Sequence, residues 1–177
     1  MITLRMDDAD PRLRVKDLKP LHEEFMKRKI PMTIAVNNFM GHSYKFDKNL
    51  LDYVNTTDPT TWDIQLHGLE HDRLWAMTET QFYASQYANL ILTKRDFIHS
   101  NPTILYPPWN EKTDMMERVC KDLGLEIKTT QKTIREFVKN WALGNETLFY
   151  WHWWTPDDCR DIPIALDKIL EINKQHA

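Results

Sequence analysis

A chain of 177 residues is long enough for one domain with a substantial core and too short for two. Its 42% hydrophobic and 11% aromatic content excludes a disordered chain, and a net charge of −3 with no basic tract argues against nucleic acid as a partner. Apolar runs are strand-sized, so no membrane partner is expected, and the start "MITLRMDDAD" has no signal-peptide pattern, which leaves the cytoplasm as the default compartment.

The segments then alternate in type. "ITLRM" (2–6) reads as a strand, and residues 17–29 carry Leu18, Leu21 and Phe25 at helical spacing. "MTIAV" (32–36) is a second strand, residues 47–54 a short helix, and "WDIQLH" (62–67) a third strand of alternating character. Thr78 and Gln81 form a capping box, so a long helix is predicted from there to about residue 99. "TILY" (103–106) is a strand stopped by Pro107 and Pro108. Asn110 can cap a helix running to Leu123, where Gly124 suits the C-terminal turn. "LEIKT" (125–129) and "TLFYWH" (147–152) are the last strands, and residues 161–175 form a closing amphipathic helix. Cys120 and Cys159 belong to no C-x-x-C pair and read as reduced thiols. The N-x-T tripeptides at Asn55 and Asn145 read as chance matches.

Alternating strands and helices imply one parallel α/β domain over residues 1–177. A doubly wound sheet and a small incomplete barrel both fit this pattern. The oligomeric state is left open.

Chemistry collects at the strand ends. Asp7 and Asp8 follow the first strand, His67 ends the third, Pro107-Pro108-Trp109 ends the fourth and His152 ends the last. In parallel α/β folds this edge carries the functional site. "HGLEH" (67–71) also fits H-x-x-E-H, the inverted zinc-protease pattern, which requires a long helix; the strand-like run before it and Gly68 argue against one. Asp8, His67 and His71 together make a common three-ligand set for a catalytic divalent metal, zinc foremost. Asp7 remains as a second carboxylate available as a base. His152 arrives from the opposite side as a proton donor. These are the parts of a metal-assisted acyl hydrolase.

The pattern resembles the polysaccharide deacetylases, carbohydrate esterase family 4 or the NodB-homology domain. Asp7-Asp8 is similar to their adjacent aspartates, His67-Gly68-Leu69-Glu70-His71 to their H-[S/T]-x-x-H motif, "LYPPWN" to R-P-P-Y-G, and "FYWHWW" to the strand end bearing the catalytic histidine. The resemblance implies a distorted, incomplete (β/α) barrel and removal of N-acetyl groups from amino sugars of an acetylated carbohydrate. It implies Asp7 as general base, Asp8, His67 and His71 as ligands, His152 as general acid and the Trp109 backbone N–H as oxyanion donor. Substrate contacts are expected at Tyr106, Pro108, Trp109 and Trp153. An O-acetyl carbohydrate esterase and a catalytically silent carbohydrate-binding relative are the alternatives.

The chain departs from the family at three places, the first being "RMDDAD" where the family motif ends D-D-G. Gly68 replaces the Ser/Thr of the histidine motif, and Tyr106 replaces the arginine that orients the catalytic aspartate. Arg5 shares a strand face with Asp7 at i, i+2 and is expected to take over that arginine's place.

Overall fold

The strands alternate apolar and polar side chains, and the two sets go to different places. The computed structural model describes residues 2–40, 43–139 and 147–175; Asn145, with its N-x-T tripeptide, lies outside them. Six parallel strands, β1 (Thr3–Ala9), β2 (Met32–Asn37), β3 (Trp62–Gly68), β4 (Ile104–Leu105), β5 (Glu126–Ile127) and β6 (Leu148–His152), form one sheet in the order β5-β4-β3-β2-β1-β6. The sheet curls until its ends nearly meet. The segment after β5 reaches β6 through one bridge, Thr133 to Tyr150, with the Tyr150 N–H donating to Lys132 O and Thr130 Oγ1 donating to Leu148 O. This is the incomplete (β/α) barrel; the doubly wound alternative is set aside.

Leu4, Met6, Met32, Ile34, Val36, Ile64, Phe149 and Trp151 turn outward into the main core beneath the helices. α1 (Val15–Lys27) packs against α2 (Lys48–Thr56) and α6 (Pro156–Gln175), and α5 (Ile134–Lys139) against α6. A second, smaller core of Leu66, Leu105, Phe82, Met116 and Val119 lies under α3 (Glu79–Asp96) and α4 (Asp114–Asp122). Burying each such side chain contributes about 1.5–3 kcal/mol, which is what keeps the sheet bent around its interior.

The other face of each strand is polar. Arg5 pairs in register with Thr33, and Thr33 with Asp63. Thr33 Oγ1 donates to Asp63 Oδ2, and Gln65 Nε2 to Asp63 Oδ1. Gln65 Oε1 in turn accepts from the N–H groups of Thr103 and Ile104, tying down the start of β4. A polar layer therefore floors the barrel, and the next residues along the same strands, Asp7, His67 and His152, emerge above it.

Several boundaries differ from those predicted. β4 and β5 shrink to two residues each. α4 is capped by Thr113, whose hydroxyl accepts from the Met116 N–H. Asn110 cannot cap because it and Trp109 both have positive φ, 56° and 62°. α6 starts at Pro156 rather than residue 161, since proline is well placed in a first helical turn beside Asp157 and Asp158. α5 was not predicted, although Thr133 and Glu136 cap it reciprocally. Cys120 and Cys159 are free thiols. Among the described residues no helix is long and apolar enough to cross a membrane.

Candidate metal centre

β1 ends in an irregularity. Its register against β2 shifts between Met6 and Ala9, and Asp8 sits at φ 55°. This left-handed conformation is costly for a residue other than glycine and lets successive aspartates serve one site. Three of the four described non-glycine residues with positive φ, Asp8, Trp109 and Asn110, lie here.

Asp8 Oδ1 stands 3.2 Å from His67 Nε2 and 3.4 Å from His71 Nε2, and ligand atoms from all three residues lie within 4.8 Å of one another. His67 Nδ1 is 2.7 Å from Tyr106 O. A carbonyl only accepts, so Nδ1 carries the hydrogen and Nε2 presents its lone pair to Asp8. Two lone pairs at this separation need a cation between them. Asp8 Oδ1 is buried and has no hydrogen-bond partner among the described residues. The donor set and the orphaned oxygen fit a divalent metal. Burial by itself would raise the Asp8 carboxyl; positive charge on His67, then His71 and His152, outweighs it and holds the group below the ordinary carboxylate range when those imidazoles are protonated.

His67 closes β3, whereas His71 comes from the loop after it. No helix joins them, which removes the zinc-protease reading. Gly68 makes the turn between them at φ 123°, and a Cβ there would meet Glu70 O at 2.9 Å. The glycine is a requirement of this loop.

Asp7 is held from below. Arg5 donates Nε to Asp7 Oδ1 at 2.5 Å and Nη2 to Oδ2 at 2.6 Å, a bidentate pair with Arg5 fully buried. Arg5 Nη2 also reaches Asn110 Oδ1 at 3.1 Å, and its Cζ lies 4.5 Å from the Tyr106 ring centroid and 5.8 Å from that of Tyr150. Arg5 thus stands beside Asp7 as its spacing suggested. Tyr106, expected to touch substrate, is instead buried at 2% exposure under this guanidinium. It cannot present its ring to a sugar because Arg5 occupies that face.

His152 Nε2 lies 3.9 Å from Asp8 Oδ2, and its Nδ1 is 3.7 Å from Asp158 Oδ2, which also accepts the His152 N–H at 3.1 Å. Burial would lower this imidazole, but Asp158 first, then Asp7 and Asp8, hold it above its ordinary value. Trp153 donates its indole N–H to Asp8 O at 2.9 Å, so it braces the Asp8 backbone. Trp109 is 59% exposed with its ring 5.1 Å from that of His71. Beside Pro108 it borders an open cleft of about 570 Å³ lined by His71, Arg73, Met77, Gln81 and Trp109. Asn110, Asp158 and Tyr150 were missed in the sequence; only Asp158, an acid in a first helical turn six residues past a histidine, left a readable signal.

No family model matches the sequence, and comparison with curated proteins also returns no match. Solved structures do match. A family 4 carbohydrate esterase from Streptomyces lividans in complex with acetate superposes with a TM-score of 0.76 at 13% identity, over 97% of this chain and 88% of that one. A peptidoglycan deacetylase from Bacillus subtilis gives 0.73 at 10% identity, over 97% and 84%. A family 4 pseudoenzyme from Bacillus anthracis gives 0.72 at 11%, over 99% and 61%. The curled parallel sheet with its site at the carboxyl edge is therefore the fold of the family 4 carbohydrate esterases, the polysaccharide deacetylases.

Proposed function

We propose that this chain is a metal-dependent carbohydrate deacetylase that hydrolyses N-acetyl groups of amino sugars in a polysaccharide or oligosaccharide. The observation that carries the reading is the buried, unpartnered Asp8 Oδ1 facing two imidazole Nε2 atoms. Asp8, His67 and His71 would hold a divalent metal, zinc by donor preference, which supplies Lewis acidity for the acetyl carbonyl and the attacking water.

The remaining steps belong to the chain's own residues. Asp7, held in place by Arg5, accepts the proton of the attacking water. The Trp109 backbone N–H steadies the developing oxyanion. His152, oriented by Asp158, delivers a proton to the departing nitrogen, which amides require because an unprotonated amine leaves poorly. The Trp109 face and Pro108 border the cleft where a sugar would lie. Trp153 acts by holding Asp8.

Acetate release tests this directly, using N-acetylated chitin oligomers and peptidoglycan against O-acetylated xylan, with and without a chelator. The expected result is chelator-sensitive release from the N-acetylated substrates. Asp7→Asn should retain the metal while kcat falls by roughly 10²–10⁴-fold. Preferential release from xylan would make the protein an O-acetyl esterase. No release from any substrate by the metal-loaded protein would make it a silent relative of the same fold.

A further inference from the structure

Beyond Phe82, which lies in the smaller core, the inner face of α3 is largely polar. Its buried positions include Gln86, Asn89 and Thr93, all fully buried, while Tyr83, Tyr87 and Ile91 face solvent at 44%, 51% and 49% exposure. This orientation is locked. Asn38 Nδ2 donates to Asn89 Oδ1 and Thr93 Oγ1, each at 2.6 Å, and Asn55 Nδ2 donates to Asp96 O at 2.8 Å. The helix cannot roll its apolar stripe inward without stranding those polar groups.

We propose that this stripe is the contact face of a twofold homodimer, with α3 packed antiparallel on α3 of a second copy. The pattern is self-complementary about Tyr87. A twofold axis there sets Tyr83 against Ile91 of the second copy and Tyr87 against its counterpart. It also brings Glu79, in the first turn, opposite Lys94 and Arg95 in the last turn of the second copy. Lys94 has no ionic partner among the described residues. Glu79 and Arg95 are each more than half exposed in their present pairs with Arg118 and Asp96. Ala84 and Ala88 flank the stripe and allow close approach of the helices. From Thr80 to Lys94 the stripe runs about 21 Å, which places the contact at the small end of specific interfaces.

Sedimentation equilibrium of the full chain from about 1 μM to about 1 mM tests this. A monomer–dimer equilibrium is expected. Tyr87→Lys puts like charges on the axis and should weaken it roughly 100-fold, about 2.8 kcal/mol, without changing the melting temperature. Lys94→Glu should also weaken it, and adding Glu79→Lys should recover association. A chain that stays monomeric throughout, or a dimer that a folded Tyr87→Lys variant leaves intact, overturns the proposal.

Discussion

At the scale of single residues the site turns on where one cation sits. The family pattern puts an arginine at the end of the fourth strand. Here that position is Tyr106, and the cation comes from Arg5 on β1, with the tyrosine ring beneath it. The spacing of Arg5 and Asp7 made this readable, because i and i+2 on a strand share a face. Asn110 was not readable. Its role depends on positive φ at two successive residues; asparagine tolerates that conformation, but nothing signals it at Trp109. Gly68 looks like a lost hydroxyl in the sequence, yet the backbone at φ 123° leaves no room for a side chain.

The Arg5–Asp7 pair is deeply buried, so breaking it on one side leaves an uncompensated charge. Arg5→Gln should destabilise the fold by about 3–5 kcal/mol in urea unfolding, and Arg5→Met with Asp7→Leu should recover most of that loss. A loss under about 1 kcal/mol for Arg5→Gln would show that the pair is far weaker than its geometry implies.

Among the elements, the strands were legible, with β4 and β5 read too long, and the short helix α2 was legible too, while α5 was not. β3 alternates apolar and polar residues, so both of its faces could be read from its residues. β4 and β5 contribute two residues each and gain their place from neighbours such as Gln65.

α1 and β3 meet at a second buried histidine. His22 stacks on Trp62 at 3.6 Å between ring centroids, with Nδ1 2.9 Å from Tyr53 Oη and Nε2 3.0 Å from Thr61 Oγ1. Burial is the main cause holding its pKa down to about 4 from 6.5, against a smaller opposing effect of Thr61. Below pH 6.5 the unfolded chain takes up a proton that the folded chain refuses until about pH 4. Stability should therefore fall as pH drops through that window, by up to about 3 kcal/mol from this group. His22→Phe, which cannot titrate, should lose that part of the pH dependence in urea unfolding measured at a series of pH values. An unchanged dependence would assign the effect elsewhere.

For the whole molecule, the polar barrel interior is the organising feature. The sheet curls around Arg5, Asp63 and Gln65, and the same strand faces continue upward into Asp7, His67 and His152. Fold and candidate site are therefore one pattern, and motif order along the chain exposed the fold despite identities of 10–13% to the matching structures. The α3 face was not legible in the sequence, because its apolar residues fall on more than one side of the helix; the buried polar partners of Asn89 and Thr93 reveal which side faces out.

The central claim is that Asp8, His67 and His71 form a metal centre. It is tested most directly by elemental analysis with zinc titration calorimetry on the chain and on His67→Ala. One tightly bound divalent ion per chain is expected, lost in His67→Ala, with chelation lowering the melting temperature of the unsubstituted protein alone. A folded protein that binds no divalent ion, or a His67→Ala variant that binds it equally well, would contradict it.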